Sequence, residues 1–219
     1  LESKLSSYSS ILELVTDFYG ATDRVNRSDF QSLTGDLLDR HEEISTIQWL
    51  PSVPDDERAS YRSALADEGF RNPKIIPITS GGDTVSTFSR DRWFPVTYVE
   101  PTFPGQESKY IGFDYLTSRN RNAFLRRMTE KNIISVLINV EPLRTLVRQT
   151  DLESQTFVLL KPVFEGEHMM VKKRWRNLAG IIALEVSHEQ LMETVFPPEE
   201  SESFDVYVYG EDRAGRNQL

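Results

Sequence analysis

Apolar positions near the start of the chain fall at Leu1, Leu5, Tyr8, Leu12, Val15 and Tyr19, and their spacing of 4, 3, 4, 3 and 4 is that of a coiled-coil seam. A second stripe, Ile11, Leu14 and Phe18, widens the apolar face beyond what one partner helix covers, so it is expected to dock on the chain's own globular body. Fewer than three heptads are present, and an ordinary amphipathic helix packed within the chain fits the pattern equally well. Gly20 marks a break. Ser28 followed by Gln31 has the form of a capping box, and Phe30, Leu33, Leu37, His41 and Ile44 carry helical spacing on to about residue 44.

The period then changes. Ile47 and Trp49 alternate with polar residues as in a strand, which Pro51 ends. Pro54 with Asp55, Asp56 and Glu57 starts a helix, because a fixed φ and negative charge at the N-terminal dipole both favour one, and Gly69 ends it. "KIIPIT" predicts a short strand, and "SGGD" at 80–83 predicts a turn, since neither a P-loop lysine nor Rossmann spacing accompanies its glycines. "WFPVTYVEP" and "KYIGFDY" read as strands. A helix follows, capped by Thr117 or Ser118 and burying Phe124, Leu125 and Met128.

"IISVLINV" and "TFVLLKPVF" have the near-continuous apolar character of central strands. Past Glu165 a shorter series begins: "GIIALEV" as strand, "SHEQLMETVF" as helix with Ser187 near its start, "PPEESES" as acidic loop and "FDVYVYGED" as strand. These pieces predict a second, smaller sheet-and-helix unit.

A formal net charge of -9 repels phosphate backbones, and the one basic run, "KKRWR" at Lys172 to Arg176, is short and lies in acidic surroundings, so nucleic acid is not an expected partner. Without cysteine there are no disulfides, thiol nucleophiles or thiolate metal sites, which suits a periplasm as well as a cytoplasm. No window approaches the roughly 18 to 20 apolar residues that cross a bilayer. The chain begins at Leu1, and it reads as a soluble fragment of a longer protein or a processed one. His41, His168 and His188 are scattered, no Gly-x-Ser-x-Gly is present, and Asp55 with Asp56 is explained by capping, so catalysis, a metal and a cofactor are not expected.

The stretch "YIGFDYLTSRNRNAF" concentrates arginine at the start of a helix. Arg119 and Arg121 there strengthen a positive spot that favours a carboxylate or phosphate, while a salt bridge from Arg121 to Asp114 or Glu100 is the structural alternative. Arg126 and Arg127 read as a solvated face.

In their order and spacing, "IQWLPSVPDDERASY", "FPVTYVEP", "YIGFDYLTSRNRNAF" and "FVLLKPVF", spanning 47–164, resemble the CHASE domain, a sensory module found in front of histidine kinases, adenylyl cyclases and diguanylate cyclases. The resemblance implies an α+β fold: a long N-terminal stalk helix followed by a membrane-distal and a membrane-proximal PAS-like domain, each a mixed or antiparallel sheet with helices. Boundaries at 1–46, 47–165 and 166–219 follow.

Plant cytokinin receptors belong to that family. By the resemblance, an acidic residue just before the family arginine and a threonine two residues before the Pro-Val-aromatic motif hold the hormone. With one residue of slack in the first, those positions are Asn120 and Leu160 here, both departures, so a cytokinin is not the expected ligand.

The expectation is therefore an extracytoplasmic domain of a membrane-anchored receptor. It would bind an anionic or acceptor-rich small molecule through Tyr98, Tyr115, Asn120, Arg121, Ser135 and Leu160, and form a homodimer through the stalk. The alternative is an extracytoplasmic protein-interaction or dimerisation module without a small ligand, using the stalk and the acidic loop 197–202.

Overall fold

The structure is a computed structural model, and it describes residues 2–22, 25–77, 91–100, 110–114, 116, 119–138, 156–166, 174–195, 210–211 and 217–218. In chain order the helices are α1 (Glu2–Ala21), α2 (Arg27–Leu38), α3 (Arg58–Asp67), α4 (Arg119–Lys131) and α5 (His188–Val195). The strands are β1 (Ile44–Pro51), β2 (Val53–Pro54), β3 (Ile76–Pro77), β4 (Arg92–Trp93), β5 (Tyr98–Glu100), β6 (Phe113–Asp114), β7 (Ser135–Ile138), β8 (Thr156–Phe164), β9 (Leu178–Ser187), β10 (Gly210–Glu211) and β11 (Asn217–Gln218). The class is α+β, as expected.

One five-stranded antiparallel sheet, in the order β5-β1-β9-β8-β7, organises the chain. Its central strand β9 reads "LAGIIALEVS", a run almost without polar residues, because both of its faces are covered. On the back face Ile182, Leu184 and Val186 join Ile47, Trp49 and Leu159 against side chains of α1, α2 and α5. On the front face Ile181 and Ala183 join Leu50, Val158 and Leu160 against Leu65 of α3 and Leu125 and Met128 of α4. The two-residue period of the strands thus separates two cores within one sheet.

A domain boundary at 165/166, expected from the polar stretch after Phe164, is corrected by this pairing. β8 and β9 are neighbours from Thr156↔Ser187 to Phe164↔Leu178, so the stretch connects two adjacent strands, and "GIIALEV" is the middle of the first sheet. Any unit containing β1 and β8 therefore extends to at least Ser187. Beyond α5 the described residues form the β10–β11 hairpin. "IISVLINV", expected at the centre of a sheet, supplies the edge strand β7, and Val136 is 48% exposed there. "WFPVTYVEP" divides into β4 and β5 around Pro95, which has no N–H to give a ladder.

Helix α1 lies on the back face. Tyr8, Leu12 and Val15 are fully buried there, whereas Leu5 and Leu14 are about half exposed. The expected coiled-coil seam, through Tyr8, Leu12, Val15 and Tyr19, is thus taken up by the chain's own body, while Leu14 of the second stripe, expected to dock there, is exposed; seam positions four and three apart are also the ones that meet a flat apolar surface. Glu43 fastens the helix near its start, accepting from Lys4 Nζ at 2.9 Å and from the Tyr8 hydroxyl at 3.2 Å. Burial by itself would raise the Glu43 carboxyl, but these contacts and its backbone hydrogen bond hold it below its ordinary value.

Helix α2 starts and stops earlier than its apolar spacing predicts. Its capping box is Asn26 with Asp29, whose side chains satisfy each other's backbone N–H, and the helix ends at Leu38. His41 and Ile44 belong to the turn into β1, where Ile44 N–H donates to His41 O. His41 Nδ1 lies 3.5 Å from Glu43 Oε1. The helix expected after Pro54 is present, as a short 3-10 turn at Asp55–Glu57 followed by α3, and Gly69 closes it with φ +99°. Helix α5 begins where Ser187 was expected to start it, with Ser187 Oγ accepting from Gln190 N–H. Among the described residues no helix is long and apolar enough to cross a membrane. The "SGGD" turn, the Thr117 or Ser118 cap, the acidic loop 197–202 and most of "FDVYVYGED" lie outside the described residues.

Candidate functional site

The front face of the sheet carries two adjacent rows of side chains set by strand register. One row is Val99, Gln48, Ala183, Leu160 and Ser135, and the next is Thr46, Glu185, Val158 and Leu137. Leu160 and Ser135, both named from the sequence, are cross-strand partners on this face. Leu160 is fully buried and Ser135 is partly so. Ala183 has the smallest side chain in its row and sits between Gln48 and Leu160.

Glu185 is 1% exposed in the middle strand. Gln48 Nε2 donates to Thr46 Oγ1 at 2.8 Å, and Thr46 Oγ1 donates to Glu185 Oε2 at 3.0 Å. The single Thr46 proton is thereby directed at Glu185 by the amide behind it. The other carboxylate oxygen, Oε1, has no hydrogen-bond partner among the described residues. A buried ionised carboxylate with an unmet oxygen is costly, and burial pushes the Glu185 carboxyl up to about 7 although the Thr46 and Thr156 hydroxyls favour its charged form. On the same side, burial first and the Glu185 charge second raise the phenol of half-buried Tyr110.

A pH dependence of stability follows. Glu185 binds its proton more tightly in the folded chain, at about 7 against 4.5 for the ordinary group. Its contribution is therefore greatest below pH 4.5, falls as pH rises from 4.5 to 7, and is flat above, a total loss of about 3 kcal/mol. Glu185→Gln should remove this slope. Urea unfolding at pH 5 and pH 8 is expected to show the variant gaining about 2.5 kcal/mol on the wild type between the two, and parallel curves would contradict the assignment.

The segment around Gly112 and Asp114 closes the same side of the molecule. Gly112 has φ +90°, donates its N–H to Val96 O and accepts from Ile76 N–H through its carbonyl, both at 2.8 Å. Asp114, 1% exposed, accepts the Phe94 N–H on Oδ2 at 3.0 Å and the Leu116 N–H on Oδ1 at 3.1 Å. The glycine and aspartate of "YIGFDY" thus tie the β4–β5 connection and β3 to the residues entering α4. Nearby, Arg126 lies over the Trp175 ring at 4.5 Å and pairs with Asp91 at 3.0 Å, so part of the "KKRWR" run and part of the arginine face of α4 are joined to each other.

The other residues named from the sequence stand apart. Tyr98 is on the back face, which corrects its grouping with Ser135 and Leu160: in β5 it pairs with Trp49, its hydroxyl donates to Val25 O at 3.3 Å, and Arg27 lies over its ring at 4.8 Å. The period of β5 decides this, since Val99 takes the front. Tyr115 and the side chains of Asn120 and Arg121 lie outside the described residues, with Asn120 and Arg121 in the first turn of α4. Glu185, Thr46, Gln48, Thr156 and Tyr110 were not singled out. The available signal was the lone acid in "GIIALEV". Among the described residues no cluster of three or more His, Asp or Glu side chains is arranged to hold a metal ion.

A protein-family model described as CHASE domain matches residues 23–219. Comparison with curated protein sequences finds no match.

Proposed function

The chain belongs to the CHASE domain family, and on that premise we propose that it senses a small molecule outside the cytoplasm for a transmembrane receptor. CHASE domains are non-catalytic, extracytoplasmic sensory domains of signalling receptors. In this reading the output is a histidine kinase or a nucleotide cyclase on the far side of the membrane. The sheet bounded by α1 and α5 is the membrane-distal PAS-like unit, and the residues after α5 begin a membrane-proximal one.

The observation that carries the reading is the position of β9. Its residue 185 faces the front, while Leu184 and Val186 on either side belong to the core that holds α1 on the back. A ligand on the front face that moves β9 or β8 by a fraction of an ångström alters the seat of Tyr8, Leu12 and Val15. Interiors packed this closely transmit such shifts rather than absorb them. Ser135 and Leu160 contribute to the ligand surface. In a homodimer of stalks the exposed Leu5 and Leu14 are the apolar positions on α1 left for the partner. The ligand must bind two arrangements of the stalk unequally, since equal binding transmits nothing.

Thermal unfolding of the chain against purines, amino acids, organic acids and polyamines, followed by hydrogen exchange with any compound that stabilises it, tests this function. The expected result is a stabilising compound that also changes protection at residues 5–19 of α1. A compound that binds and leaves α1 unchanged would remove the relay, and a panel without any binder would turn the reading to a protein partner.

A further inference from the structure

We propose that the front face of the sheet recognises the ammonium or amidinium group of a small organic cation, with Glu185 as the counter-charge and Thr46, Gln48 and Thr156 as its polar frame. The inference rests on the small-molecule reading above and names the ligand's chemistry.

Three features lead to it. First, Glu185 is buried to 1% exposure with Oε1 unpartnered among the described residues, whereas the similarly buried Glu43 is engaged by Lys4 and Tyr8 and Asp114 by two backbone N–H groups. Buried carboxylates left this way are rare in native cores unless a further donor arrives. Second, the hydrogen bond from Thr46 falls on one oxygen. The Gln48–Thr46 relay ends on Oε2, which orients the carboxyl and leaves Oε1 as the vacant acceptor. Third, the surroundings suit a cation with an apolar body. Ala183, Val158 and Leu160 flank the carboxyl on the sheet, and half-buried Tyr110 packs against the same core. Among the described residues no arginine or lysine pairs with Glu185.

Such a ligand takes the ionised carboxylate, so binding displaces the proton that burial holds on Glu185. Affinity should therefore be constant above pH 7 and fall about tenfold per pH unit below it.

The test is thermal unfolding of the 219-residue chain and its Glu185→Gln variant at pH 7.5. Two panels are used at equal millimolar concentration: putrescine, agmatine, ethanolamine and benzamidine against succinate, citrate and benzoate. A saturating member of the first panel is expected to raise the wild-type Tm by about 5 to 10 °C and the variant's by less than about 1 °C. Calorimetry of that compound at pH 6 and pH 8 should show weaker binding and proton release at the lower pH.

An amine that stabilises both chains equally would overturn the proposal, because its site would not contain Glu185. Stabilisation by the carboxylates alone would overturn the cationic class, keep the small-molecule function and point back to the arginines of α4. No response from either panel would overturn both. Because Glu185→Gln removes a buried charge, it is expected to fold, and its own Tm without additives at pH 7.5 serves as the control for folding.

Discussion

Gly112→Ala should lower the unfolding free energy by about 4 kcal/mol. The glycine has φ +90°, where a side chain is strained by about 1 to 2 kcal/mol. An added methyl would also be driven into the carbonyl oxygen of Lys74, a backbone atom with no rotamer to yield. Overpacking of this kind adds about 1 to 3 kcal/mol. Relief by local movement is blocked, since Gly112 is held through both its N–H and its carbonyl. Gly69→Ala is the comparison: its φ is +99° but nothing lies within 4 Å of an added Cβ, so strain acts there without collision. Urea unfolding should place the Gly69 variant about 1 kcal/mol below the wild type and the Gly112 variant far lower. Equal losses would mean that the collision is relieved.

Asp114→Ala is the second large loss, again about 4 kcal/mol. Removing the carboxylate strands two backbone N–H groups, Phe94 and Leu116, where water does not reach, and each stranded buried donor costs about 1 to 3 kcal/mol. Asp114→Asn keeps one acceptor and turns an amide NH2 toward the other donor, so it should lie between. Amide exchange at Phe94 and Leu116 checks the cause directly. Both should lose protection in the alanine variant beyond what the change in global stability explains, and unchanged relative protection would show that other groups hold them.

These two residues also bear on what could be read from the chain. The visible work of the glycine and aspartate of "YIGFDY" is to join strands to the start of α4. The helices after Pro54 and Ser187 were legible because capping is a local event written in three or four residues. The fate of α1 was less so: Tyr8, Leu12 and Val15 repeat four and three apart whether they meet another helix or a sheet, and only the second partner is present within the chain. The division after residue 165 failed because a polar connection between adjacent antiparallel strands has the composition of an interdomain linker. Glu185 was illegible for a different reason. An acid at one position of a strand reads as facing solvent, and its true side follows only from its register opposite Thr46 and Val158. Tyr98 failed by the same rule, one residue from the front-facing Val99.

The place of β9 in the sheet also sets the order in which the molecule can be made. Thr46 and Glu185 are 139 residues apart, yet the strands that carry them are neighbours. A growing chain holds β1 with one flank unpaired until β9 has emerged. Loop closure over that distance makes the pairing slow relative to helix formation. Until then the back face that α1 needs does not exist, and a chain stopped at residue 165 lacks the strand between β1 and β8. The step that locks the sheet therefore waits for a residue that lies 139 positions beyond its partner in β1.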